Sequence, residues 1–177
     1  MRNMVGTFIL VGTLVLAGAV ATSRAQDGAQ QKAHTPSENV KANWDYVGGK
    51  ILAMAQDWSE EKYTYRATPE QRTFQQVLLH VAGSNYDLIN RAAGKKVGDG
   101  HNDPAVSDYK TKAETIAFLK KSIEDGDAEI AREGDAGVVK NLSDWIGYTE
   151  HMGEHYGLLV VYYRLNGVVP PDSRPHK

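Results

Sequence analysis

From Asn141 to Leu165 the chain carries apolar side chains on nearly every side of a helix, and such a helix is not stable with water all around it. Leu142, Trp145, Ile146, Met152, Tyr156, Leu159, Val160 and Tyr163 make one wide face. Leu158, Val161, Tyr162 and Leu165 carry it around the second half. Gly167 and then Pro170-Pro171 stop the helix, because proline cannot continue it and glycine suits the position just past its end. The segment must be covered on several sides, either at the centre of a bundle or by a partner subunit.

Three more stretches show helical periodicity. Thr35-Pro36-Ser37-Glu38 offers an N-cap hydroxyl, a proline at the first helical position and a glutamate three residues after the cap. Val40, Trp44, Val47, Ile51 and Met54 follow at helical spacing, ending near Trp58. Residues 59–67 have no period and are expected to form a loop. The second helix starts from one of two capping boxes, Thr68-Pro69-Glu70-Gln71 or Thr73-Phe74-Gln75-Gln76, and buries Phe74, Val77, Leu78, Val81, Leu88 and Ile89. Turn formers over residues 94–104 end it. Thr111-Lys112-Ala113-Glu114 caps a third helix with Ile116, Leu119, Ile123 and Ile130 inward, closed by Gly134 and Gly137. No run alternates with period two and no internal repeat is visible. The fold class is all-α, a four-helix bundle.

A length of 177 residues supports one such domain with a sizeable core. The chain has no Cys, which removes disulfides, thiolate metal sites and cysteine nucleophiles together. A net charge of -2 with no basic stripe gives no electrostatic case for nucleic acid.

Arg2, an uncharged stretch over residues 4–21 and the small residues around Arg24 read as a signal peptide over residues 1–25, cleaved after Ala25. An uncleaved membrane anchor is the competing reading of the same stretch. Residues 26–34 are a polar lead-in, 35–171 the bundle and 172–177 a tail. The expectation is an exported protein, periplasmic or secreted, with no membrane attachment after cleavage.

Six histidines are present: His34, His80, His101, His151, His155 and His176. His34 and His176 fall in tails and His101 in a glycine-rich loop. His151 and His155 are four residues apart, just over one helical turn, so both imidazoles leave one face and can close on a single cation. A hydrogen-bonded packing pair would have the same spacing. His80, at the edge of the apolar face of the second helix, would complete a three-imidazole set. Three neutral nitrogens suit Zn, Ni, Fe or Cu in the divalent state better than Mg or Ca. His151-Met152-Gly153-Glu154-His155 also matches the H-x-x-E-H string of inverted zinc proteases, but those need a further acidic ligand well downstream and Asp172 is the only acid after His155.

Arg72-Thr73-Phe74 through Leu79-His80-Val81-Ala82, together with His151-x-x-x-His155-Tyr156-Gly157 through Val161-Tyr162-Tyr163-Arg164-Leu165-Asn166-Gly167-Val168-Val169-Pro170-Pro171, resemble the DinB-like superfamily over nearly all of residues 37–171. That resemblance implies a bundle, often a homodimer, with a divalent metal (Zn, Ni or Fe) held by His80, His151 and His155. Some relatives are thiol-dependent S-transferases or isomerases that use bacillithiol or mycothiol, with the metal activating a thiolate. Leu158 stands where members often carry Gln, and export separates the protein from cytosolic thiol pools. The expected function is an exported metalloprotein whose three-His metal activates a small nucleophile, thiol or water, toward a small-molecule substrate. Glu154, Tyr148 and Tyr162 are the candidate acid/base groups. The alternatives are a non-catalytic dimeric metal-binding or interaction module, and the H-x-x-E-H protease.

Overall fold

Three capping boxes decide where the first three helices begin. Thr35, Thr73 and Thr111 each accept a backbone N–H from the residue three further on, and Glu38, Gln76 and Glu114 each accept the N-cap N–H in return. In the computed structural model these open α1 (Pro36–Asp57), α2 (Phe74–Ala92) and α3 (Lys112–Lys140), and α4 (Leu142–Leu165) follows directly. Residues 34–97 and 103–175 are described, and no strand occurs among them. The expected signal peptide, nearly all of the expected lead-in, His101 and His176 lie outside the described residues. No described helix is long and apolar enough to cross a membrane.

Of the two starts open to the second helix, the structure takes Thr73. Gly94, at φ 71°, turns the chain out of α2, a left-handed conformation that glycine adopts without steric cost. α3 runs on past the expected stop to Lys140, but its helical dihedrals break at Gly134 (φ 59°, ψ -174°), a region open in practice to glycine alone. Residues 59–67 include a 3-10 turn, Glu60–Lys62, and fold over the core: Tyr63 is buried and its hydroxyl donates to Ala55 O at 2.6 Å.

α1 packs against α3 and α4, and so does α2, which places α1 and α2 on one diagonal of the bundle and α3 and α4 on the other. Aromatic rings fill the centre. Trp44 meets Trp145 edge-on at 5.5 Å and donates its indole N–H to Ile123 O at 3.0 Å. Trp58 stacks on Phe74 at 5.0 Å and lies 4.4 Å from the ring of Tyr163. Every other residue expected inside α2 is buried except Ile89, which is half-buried, while Leu79 adds to the core.

α4 is not central. Trp145, Met152, Leu159, Tyr162 and Tyr163 face inward, but Leu142, Ile146, Val161 and Leu165 are exposed in the single chain. Two neighbouring helices cover only half its circumference, so of the two ways to cover it, the position at the centre of the bundle is excluded. The expected tail is also partly structural. A 3-10 turn, Pro171–Ser173, lies on α1, where Asp172 pairs with Lys50 at 3.0 Å and Arg174 makes a two-pronged pair with Asp57 at 2.7 and 2.6 Å.

Candidate metal centre

His80 sits in the second turn of α2, where Leu79, Val81 and Ala82 are drawn into the core and leave its ring facing α4. His151 and His155 come off one face of α4, as their four-residue spacing requires. The three rings meet. Nε2 of His151 is 3.0 Å from Nε2 of His80 and 3.1 Å from Nε2 of His155. Ring centroids are 4.5 to 4.9 Å apart, with every pair steeply inclined rather than stacked. The three side chains form a group able to hold a metal ion, each offering one nitrogen.

Asp103 completes the arrangement from the loop after α2. Its Oδ1 lies 2.5 Å from His80 Nδ1, and its Oδ2 accepts from Arg72 Nε at 3.0 Å and faces Arg72 Nη2 at 2.9 Å. A ring that donates Nδ1–H to a carboxylate keeps its lone pair on Nε2, the nitrogen directed at the other two histidines. Burial would raise the Asp103 carboxyl, but its bond with His80 and the Arg72 guanidinium outweigh that and hold it below its ordinary value.

Burial likewise disfavours the charged forms of the α4 pair. It lowers His151, with the neighbouring His80 adding to the effect, and lowers His155 to about 4, with His151 and His80 adding. Both rings are therefore neutral near pH 7 and each keeps a lone pair. Nδ1 of His151 and of His155 is buried and has no hydrogen-bond partner among the described residues.

The geometry fits a cation. A hydrogen bond needs one proton between two nitrogens, so His151 Nε2 cannot satisfy both neighbours through protons of its own, whereas a central ion accepts all three lone pairs together. Tetrahedral bonds of about 2.0 to 2.1 Å would set ligand nitrogens about 3.3 to 3.4 Å apart, a few tenths of an ångström wider than the spacing found. Three imidazole nitrogens are a donor set for a divalent transition metal.

An open cleft of about 310 Å³ runs beside His80 and His151, lined by Ser84 and Asp87 of α2 and by Ser143, Asp144 and Tyr148 of α4. The Tyr148 ring is 6.4 Å from that of His151. The other candidate acid/base groups make no hydrogen bond to the histidines, although the Glu154 charge is felt by His151. Tyr162 is buried and its hydroxyl donates to Arg72 O at 2.7 Å, while burial keeps it protonated. Glu154 is exposed, and no hydrogen bond or ion pair joins it to another described residue. His34, just ahead of α1, is exposed beside Glu38 and is not one of this group.

Asp103 and its partnership with Arg72 were not legible in the sequence. Asp103 is in a turn-rich loop with no period, and only the fold brings it to a ring 23 positions earlier in the chain.

An all-helical bundle with three imidazoles joining its second and fourth helices defines a class of helical proteins with a histidine cluster able to hold a metal ion. The family model for the DinB superfamily matches residues 44–161, a span that contains all three histidines. The chain belongs to the DinB superfamily. No curated protein matches it.

Proposed function

We propose that this protein is an exported DinB-superfamily metalloprotein in which His80, His151 and His155 hold a divalent transition metal (Zn, Ni or Fe) that activates a small nucleophile. The observation that carries this reading is the meeting of three Nε2 atoms at 3.0 and 3.1 Å with the far nitrogen of His80 tied to Asp103. A metal bound there supplies Lewis acidity to a thiol or water in a position the protein leaves open. The chain's own part is to present imidazoles from two helices and to admit a small molecule through the cleft beside Tyr148. The signal-like pattern of residues 1–25 supports export. The exposed Leu142, Ile146, Val161 and Leu165 support a homodimer that covers α4, which sedimentation velocity of the mature protein tests.

A non-catalytic module that only holds metal is favoured by one observation: none of the three candidate acid/base groups hydrogen-bonds to the histidines, since the Tyr148 ring is 6.4 Å from that of His151, the Tyr162 hydroxyl is spent on Arg72 O, and Glu154 is exposed and acts on His151 only through its charge. Thiol-transfer and hydrolytic assays on metal-loaded protein separate the two. Turnover that disappears in His80→Ala supports the enzyme; full metal occupancy without turnover across the panel supports the module.

A further inference from the structure

We propose that Asp103 is the positioning residue of the metal centre, and that the packing of Pro104 on Gly83 sets it in place. This rests on the metal reading of the three histidines.

His80 is the only one of the three rings whose Nδ1 has a partner among the described residues. It is also the only one that comes from α2. The other two share a helix, and their spacing already places them side by side; His80 must be aimed across an interface between helices. A free imidazole can rotate about two side-chain bonds and exchange its proton between two nitrogens. The Asp103 carboxylate removes both freedoms by accepting a hydrogen bond from His80 Nδ1–H at 2.5 Å. Each carboxylate oxygen is used, one by His80 and the other by Arg72, so the carboxylate itself cannot turn.

The backbone of Asp103 is located by its neighbour. A Cβ placed on Gly83 would lie 2.9 Å from Cδ and 3.3 Å from Cγ of Pro104, closer than side chains pack. Gly83 stands three residues after His80, just under one helical turn, so the bare surface that seats Pro104 is beside the ring that Asp103 holds. A side chain at residue 83 would push Pro104 outward and take Asp103 with it, without altering any group in the site.

The test is a Co²⁺ titration of the full mature chain, with a competing chelator to set affinity and visible absorption to report coordination. Loss of an outer-shell partner of a metal-bound imidazole commonly weakens affinity 10- to 100-fold. Asp103→Ala is expected to fall in that range. Asp103→Asn, which keeps the shape but not the charge, is expected to fall less. Gly83→Ala is expected to weaken binding as well, although alanine favours the helix; a role limited to folding would not lower affinity while leaving the metal-free melting temperature unchanged. Co²⁺ binding by Asp103→Ala and Gly83→Ala within twofold of the wild type overturns this inference and leaves the three-histidine site standing. A wild type that takes up no Co²⁺ overturns the metal reading, and this inference falls with it.

Discussion

Gly126 of α3 lies directly against the indole of Trp44 in α1: a Cβ at residue 126 would sit 2.5 Å from Cζ2 and 2.6 Å from Cε2 of that ring. The indole cannot step aside, because it is fully buried, packed edge-on against Trp145 and held by its N–H on Ile123 O. Gly126→Ala gains up to about 1 kcal/mol of helix propensity but forces an overpacked core, which costs about 1 to 3 kcal/mol. A net loss of up to about 2 kcal/mol is expected in urea unfolding, and a stabilised protein would show that α1 and α3 are not this close.

Gly49, also in a helix, has open space where its Cβ would go. Gly49→Ala should therefore stabilise the protein by about 0.5 to 1 kcal/mol, read from the same unfolding curves. The pair of substitutions makes the point sharply: one chemical change is expected to act with opposite sign at two helical positions that differ in what they face.

The Asp57 carboxyl is held below the ordinary carboxylate range by hydrogen bonds from Arg174, whose charge and the Tyr163 hydroxyl reinforce the effect against burial. The folded protein thus binds this proton less readily than the unfolded chain. The stability it contributes is fully present above the unfolded pKa of about 3.9 and is lost as pH falls through the lower folded value. Arg174→Ala is expected to lower stability modestly at pH 7, because the pair is exposed to solvent. That difference should shrink in strong acid to the part that comes from the Arg174 bonds to Val169 O, which do not titrate, and urea titrations at both extremes check it; a gap that stays constant with pH would mean that the pair with Asp57 does not form.

Tyr162 and the histidines should separate under mutation. The Tyr162 hydroxyl donates to the carbonyl of Arg72, so Tyr162→Phe is expected to lower stability by about 1 kcal/mol, or more if that carbonyl stays dry. Metal content measured by elemental analysis should not change. A Tyr162→Phe protein of normal stability that had lost its metal would reassign the phenol to the site.

The parts of this fold with a local physical cause were readable from residues alone. Thr35, Thr73 and Thr111 carry their caps within four residues, and His151 and His155 share a face by helical geometry. The second helix had two equally good starts, and only the tertiary structure, which buries Phe74 between Trp58 and Tyr63, chooses Thr73. Residues 172–177 read as a tail because nothing in them shows that Asp57 and Lys50 lie opposite Arg174 and Asp172. Asp103 escaped for the same reason: its role depends on a loop closing back onto α2, and its sequence neighbours mark only a turn. Apolar residues all around α4 signalled a need for cover, but that signal is the same whether helices of the same chain or a second chain provide it.

The central claim is that three imidazoles from α2 and α4 hold one metal ion. Elemental analysis of the mature protein purified from its native compartment, beside the His151→Ala/His155→Ala variant of matched helical content, tests it directly. The expected result is about one equivalent of a divalent transition metal per chain in the wild type and almost none in the variant. A wild type without such a metal, or a variant that keeps the full amount, would contradict the account.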